Sequence, residues 1–392
     1  MKLSKNYKNI IRQFLAKKYA KPVLLITVFA LVSTAALLIT QAKDGDVSLE
    51  AETTSRSGNA SFVDDDKASG GKSLHFGVVE GSGGNNSAYK PLSNPNASQQ
   101  AKNVYNFLQS KEGSAILAGQ HEADQCTKCE SDRMQSITGK APAVHGHDVA
   151  GYAIDPINEA INDFNVRHQI PEFSWHVSAP GTSEDWTNVQ IDANVARALQ
   201  SGTSENTSLV AKLNTMASRL QTLEDANVPV LWRPWHEMNG GWFWWSKSGP
   251  DTYKQLWIYT YNYFTTTKGL NNLIWVWSAA ENELPNAAWY PGDQYVDITG
   301  TDTYTSNSNI SNWLNNYNRH KSIAPTKPVA LTETDYVPDP AQLQSSGNKM
   351  LWFLPWHSIY VDRNSQSTLT QVYNSPYVIT ADEMPDLRGT FQ

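Results

Sequence analysis

Cysteine is almost missing from this 392-residue chain: there are two, Cys126 and Cys129, in the run QCTKC. Two sulfurs cannot complete a four-cysteine zinc site. No thioredoxin-like strand and helix arrangement surrounds them, which argues against a redox pair. A disulfide clipping a short loop in an oxidising compartment is the expectation. Basic residues are also scarce once the amino terminus is set aside. Residues 1–42 hold seven of the 31 Lys and Arg and none of the 38 Asp and Glu, which leaves 24 basic against 38 acidic residues, a balance of −14. Such a body is repelled by phosphate backbones and anionic lipid alike, so nucleic acid is excluded as a partner. No glycine-rich phosphate loop and no Ser-His-Asp order stands out. With 40% apolar and 11% aromatic residues, a fully disordered chain is excluded too.

Aromatic residues are what the chain has in abundance: 14 Trp and 17 Tyr. That is more flat amphipathic surface than a core requires. Carbohydrate is one ligand class that wants it, stacking its C–H faces on rings while its hydroxyls seek polar partners.

The amino terminus reads as an export signal. Lys2, Lys5, Lys8, Arg12, Lys17, Lys18 and Lys21 precede an uncharged run over 22–40. That run is about long enough to span a bilayer, with its basic flank on the cytoplasmic side. Residues 1–42 are therefore expected to be a cleaved signal peptide or an uncleaved anchor, with the rest secreted or tethered at the cell surface. Residues 43–99 are rich in Ser, Gly and Asn and read as linker. Asp64-Asp65-Asp66 within them suggests a solvated acidic turn ahead of a calcium site.

From about residue 100, apolar strand-like runs alternate with helical ones. Strands are expected near 115–120, 142–147, 170–175, 228–235, 272–278, 296–302, 328–333 and 350–356. Between them, Asp155-Pro156 offers a helix start, and Leu209 to Leu223 repeats apolar residues at helical spacing. Eight strands with helices between them in about 290 residues point to an α/β fold, a (β/α)8 TIM barrel over 100–392. In a barrel, chemistry sits at the carboxyl ends of strands.

Two of those ends carry glutamates. The fourth strand runs into WRPWHEMNGGWFWW, with Glu237 in a nest of aromatic and polar residues. The seventh ends in LTETDY, with Glu333 after an apolar run. Two carboxylates facing each other across a barrel mouth suit glycoside cleavage as proton donor and nucleophile. His121 and Glu122 after the first strand, and His145, His147 and Asp148 after the second, are histidine-rich. They are expected to contact sugar or brace a glutamate, with no metal and no cofactor.

The segment HEMNGGWFWW resembles the acid/base signature of glycoside hydrolase family 26, best known for β-mannanases. The resemblance extends over residues 100–392 through SWH at 174–176, YPGDQYVDITGTDTY at 290–304, ALTETDY, and YNSPYVITADEMPDL at 373–387. It implies Glu237 as acid/base, Glu333 as nucleophile, and retention of anomeric configuration. It further implies that His236 hydrogen-bonds near the nucleophile, that Tyr304 contacts it, and that Trp242 forms an aromatic shelf on the leaving-group side. The resemblance also implies that His176 contacts the sugar at the cleavage point, that Arg233 belongs to the substrate-binding set, and that a tryptophan platform lies under that sugar; Trp352 and Trp356 compete for it, with Trp352 preferred. Residues 47–77 resemble the opening of carbohydrate-binding β-sandwich modules of families 6 and 35, but stop after about thirty residues, too few for a sandwich. A remnant or spacer is expected.

The implied function is a monomeric, retaining endo-β-1,4-mannanase acting on mannan, glucomannan or galactomannan. The alternatives are a β-1,3-xylanase or mixed-linkage β-glucanase of the same family, or a non-catalytic polysaccharide-binding surface protein.

Overall fold

The computed structural model describes residues 60–64, 72–76, 89–281, 287–304 and 310–389. The chain forms two compact units, 1–86 and 87–392. In the first, Ala60–Asp64 and Lys72–Phe76 pair as an antiparallel hairpin, Ala60 opposite Phe76 and Asp64 opposite Lys72. The export segment and most of the module-like stretch lie outside the described residues. No helix among the described residues is long and apolar enough to cross a membrane.

The second unit is a closed barrel of eight parallel strands: β1 (Ile116–His121), β2 (Val144–Asp148), β3 (Ile170–Trp175), β4 (Val230–Pro234), β5 (Leu273–Ala280), β6 (Ile298–Thr303), β7 (Val329–Thr334) and β8 (Trp352–Pro355). β8 closes on β1 through Trp352 opposite Leu117 and Phe353 opposite Ala118. Strands covered on both faces are buried along their length, and most of them read as largely apolar runs; β2 (VHGHD) and β6 (ITGTDT) carry polar residues that must find buried partners. A helix, α1 (Gln99–Lys111), precedes the barrel, and α2 (Cys129–Thr138), α3 (Ile157–Asn162), α4 (Ser204–Asp225) and α5 (Gly249–Asn262) follow the first four strands. After β6, β7 and β8 come α6 (Ile310–Ile323), α7 (Pro340–Ser346) and α8 (Gln366–Tyr373). The described part of the β5–β6 connection carries two short 3-10 turns instead.

Local rules set these elements. The Asp155 carboxylate accepts the Ile157 N–H at the start of α3. α4 buries Leu209, Leu213, Met216, Leu220 and Leu223 along one stripe. The barrel unit begins before residue 100: Leu92 is buried, and the Ser93 N–H donates to Asp297 at 2.5 Å. Cys126 and Cys129 are joined as a disulfide.

Nine of the 14 tryptophans, Trp275 and Trp277 among them, are fully buried. Aromatic abundance was thus mainly a core property, and only a few rings remain for a ligand. Trp352 is one of the nine. It lies inside β8, packed in the core, and presents no face at the mouth. Trp356, just past the strand end, is half-buried and stacks on His121 at 3.9 Å. The preference for Trp352 as platform is therefore corrected: a ring within a strand fills the barrel, whereas one beyond its carboxyl end can meet a ligand.

Candidate active site

The loop after β4 is held in a shape that its sequence alone would resist. Trp235 and Glu237 both sit in the left-handed region, at φ 52° and 53°, which costs a non-glycine residue on the order of 1 kcal/mol or more. Side chains from the aromatic run compensate. Tyr253 Oη donates to the Trp235 carbonyl at 3.1 Å, and Trp245 Nε1 to the His236 carbonyl at 2.8 Å. Trp244 Nε1 ties the Val177 carbonyl of the neighbouring loop at 2.8 Å. Asn239 continues the sheet with its side chain, donating to the Ala280 carbonyl at 2.8 Å and accepting the Ala280 N–H at 2.9 Å. WFWW is therefore scaffold first, with Trp244 and Trp245 wholly buried.

Trp242 is the exception in that run. It is half-buried, and its Nε1 donates to Glu237 Oε2 at 2.8 Å. Gly240 makes this possible, since a Cβ there would fall 2.3 Å from Trp242 Cζ2. Gly240→Ala is expected to push the indole off Glu237. A hydrogen bond to a charged or developing-charge group is worth about 1.5–3 kcal/mol, so kcat/KM should fall about 10–100-fold. Kinetics beside a melting curve check this; an unchanged kcat/KM would dissociate Trp242 from Glu237.

Glu333 is aimed by an irregularity in β7. The β6–β7 register steps from Thr301 opposite Leu331 to Asp302 opposite Glu333, so β7 carries one extra residue there. Bulges of this kind re-aim a side chain. Glu333 Oε1 accepts from Arg233 Nη1 at 2.8 Å, and Oε2 from Tyr304 Oη at 2.5 Å. One oxygen each of Glu237, Asp302 and Glu333 lie within 4.8 Å of one another. That is well short of the about 6.5–9.5 Å of an inverting pair, and close to the spacing of a retaining one. Arg233 Nη1 already lies against two of these three carboxyls.

Charge is distributed unevenly around that guanidinium. Arg233 is fully buried and also donates through Nε to Glu172 at 2.5 Å. It does not reach a ligand; it positions carboxylates, which corrects its place in the substrate-binding set. Asp302 accepts from Thr332 at 2.6 Å. One guanidinium faces four carboxyls, so some hold protons near neutrality. Burial, then the charges of Glu333 and Asp302, push Glu237 well above the usual carboxylate range. Burial raises Asp302 to about 8 and Glu172 to about 7, against the pull of Arg233. A neutral carboxyl at Glu237 beside an oriented Glu333 is the arrangement that an acid and a nucleophile require.

His176 and His236 form a linked pair. His176 Nδ1 lies 2.8 Å from Asp148 Oδ2, and its Nε2 lies 2.9 Å from His236 Nε2. Burial lowers His176, but Asp148 outweighs it and the net shift is upward. Burial and then the neighbouring His176 push His236 far down, so His236 is neutral. The expectation that His236 bonds near the nucleophile is corrected, because its Nε2 stands 4.0 Å from Glu333 Oε1 and Arg233 and Tyr304 take that place.

Strand alternation sorts the histidine-rich segment. Asp148 and His121 face the mouth, meeting His176 and Trp356. Glu122, His145 and His147 instead pair among themselves and with Asp163 at the end of α3. They brace neither glutamate. Sequence reasoning missed Glu172 and Asp302, although each is a lone acid inside a strand covered on both faces, which demands a buried partner. It also missed Trp186, 44% exposed and 5.3 Å from the His176 ring.

The sequence profile of glycosyl hydrolase family 26 matches residues 93–383. The chain belongs to this family. A mannan endo-1,4-β-mannosidase of Thermothelomyces thermophilus is 34% identical over 317 residues, which cover 75% of this chain and 63% of that protein. One of Bacillus subtilis strain 168 is 33% identical over 298 residues, 67% of this chain and 81% of the relative. Among solved structures, a Podospora anserina β-(1,4)-mannanase superposes with a TM-score of 0.70 at 33% identity, covering 77% of this chain and 72% of that one. The chain thus spans somewhat under two thirds of the Thermothelomyces relative's length. The structure itself places Glu237 just after β4 and Glu333 at the carboxyl end of β7, with one oxygen of each within 4.8 Å of the other.

Proposed function

We propose that this family 26 chain is a retaining endo-β-1,4-mannanase acting on mannan, glucomannan or galactomannan. The observation that carries the reading is the close approach of a neutral-leaning Glu237 to Glu333, whose two oxygens are each held by a donor. Glu333 attacks the anomeric carbon while Glu237 gives its proton to the glycosidic oxygen, which leaves as the hydroxyl of the departing chain. Glu237, now ionised, takes a proton from water as that water attacks the glycosyl–Glu333 ester, and Glu333 is released. Trp242 fixes the Glu237 oxygen that does not carry the proton. Tyr304 and Arg233 hold Glu333 in line. The mannan specificity is supported by the names of the relatives above.

Hydrolysis of mannan, β-1,3-xylan and lichenan tests this directly. Reducing ends should appear from mannan, far faster than from the other two. Release from xylan or lichenan alone would keep the chemistry and change the substrate, and binding without release would leave a polysaccharide-binding protein.

Trp356 serves as the platform under the sugar at the cleavage point. Trp356→Ala should raise KM with little change in melting temperature. Trp352→Ala should cost about 3–5 kcal/mol of stability, the usual penalty for a large cavity, while the remaining folded enzyme keeps its KM. Reversal of these two phenotypes would restore Trp352 to the cleft.

The basic flank and uncharged run over 22–40 support export, with the barrel secreted or tethered at the cell surface. The module-like stretch before the barrel acts as a spacer. Deleting residues 43–86 should leave activity on short manno-oligosaccharides nearly unchanged; a large fall would give that stretch a part in catalysis.

A further inference from the structure

The outward face of β2 carries a cluster that the glycosidase reaction does not use. His145 and Asp163 are completely buried, and His147 is 2% exposed. One donor atom from each of the three lies within 4.8 Å of the others. His145 Nδ1 stands 2.9 Å from Asp163 Oδ1, and His147 Nε2 stands 3.5 Å from Asp163 Oδ2. His145 Nδ1, His147 Nε2 and Asp163 Oδ2 are buried atoms with no aligned hydrogen-bond partner. Two imidazoles and a carboxylate converging on one buried point outside the reaction site need an explanation.

We propose that His145, His147 and Asp163 form a structural site for a divalent transition-metal ion, zinc by the chemistry of its donors. Two imidazoles and a carboxylate suit zinc. Ligands at about 2.0–2.1 Å around a tetrahedral ion lie roughly 3.3 Å apart, close to the 3.5 Å between His147 Nε2 and Asp163 Oδ2. His145 is oriented from behind, its Nε2 lying 2.9 Å from Glu122 Oε1. Glu122 is fixed in turn by the Glu130 and Ser131 N–H groups at the start of α2, at 2.8 and 2.7 Å. A carboxylate behind a ligating histidine is the usual outer support of a zinc site. Arg167 engages Asp163 through Oδ1, which leaves Oδ2 for the ion. The fourth position falls to water.

A proton is the competing occupant. His145 as imidazolium between Glu122 and Asp163 would also balance the charge, and the groups facing it are Glu122 just past β1, His147 from β2, and Asp163 and Arg167 in the turn that follows α3. The two occupants differ in composition and in what removes them, since a strong chelator takes the ion and leaves a proton in place.

The test uses the full chain, solubilised in detergent and purified without a polyhistidine tag. It is refolded with zinc or with a strong chelator, and read by zinc content and by melting temperature near neutral pH. About one zinc per chain is expected, with a higher melting temperature than the chelated form. His147→Ala, which leaves the His145 pairings in place, should lose the zinc and the gap together. Zinc below about 0.1 per chain, with the same melting temperature with and without the chelator, would assign the site to a proton and overturn the proposal. Zinc retained by both His147→Ala and His145→Ala would overturn it as well, since the ion would lie elsewhere.

Discussion

Glu333→Ala is expected to bring turnover to background on every substrate, whereas Glu237→Ala should fail selectively. Without Glu333 no glycosyl ester can form, and no leaving group compensates for that. Without Glu237 the first step loses its proton donor, an effect of about 10²–10⁴-fold. An aryl glycoside with an acidic phenol leaves without that proton, so its first step should survive in Glu237→Ala. Azide, which needs no general base, should then accelerate release of the glycosyl enzyme and yield a glycosyl azide of retained configuration. The geometry separates the roles in this way because Glu237 is the carboxyl held neutral by burial, whereas Glu333 accepts hydrogen bonds from Arg233 and Tyr304. Azide rescue of Glu333→Ala with inverted product, and none of Glu237→Ala, would exchange the two assignments.

The largest stability effect is expected at Arg233. Among the described residues, its guanidinium is the one cation in contact with Glu172, Asp302 and Glu333, all of them buried. Arg233→Met removes the charge and keeps most of the volume, leaving buried carboxyls uncompensated at a cost of about 3–5 kcal/mol. The deficit should depend on pH. Asp302 and Glu172 already sit above their ordinary values, at about 8 and about 7, and loss of Arg233 raises them further. A carboxyl with a raised folded value favours the native state below its unfolded value near 4, and this is lost as pH rises through the folded value. Arg233→Met should therefore lie nearer to wild type at pH 5 than at pH 8. Arg233→Lys retains a charge but cannot reach Glu172 and Glu333 together through one planar fork. It should melt between the other two and remain catalytically poor. Equal deficits at pH 5 and 8 for Arg233→Met would indicate a packing role alone.

The sequence revealed the elements whose physics is local. Most barrel strands read as apolar runs because both their faces are covered, and the observed bounds fall within a few residues of those expected. Glu237 and Glu333 stood out because each interrupts such a run at its carboxyl end. What stayed hidden depends on direction and register. The extra residue in β7 that turns Glu333 towards Asp302 leaves no mark in LTETDY. Glu172 and Asp302 lie within strands, where the side facing the barrel axis is known only once the barrel closes. Alternation along β2 separates Asp148, at the mouth, from His145 and His147 behind the strand, three residues that look equivalent in HGHD. The choice between Trp352 and Trp356 went astray for the same reason, four residues deciding between a strand interior and a rim.

The double-displacement claim is tested most directly by trapping the covalent intermediate. A 2-deoxy-2-fluoro-mannosyl fluoride slows both steps, but release more than formation, so the glycosyl enzyme accumulates. Intact mass should show one sugar per chain, and peptide mapping should place it on Glu333 within LTETDY, with the label lost on adding an acceptor sugar. A label on Glu237, or steady hydrolysis with no labelled protein and an inverted product, would contradict the account.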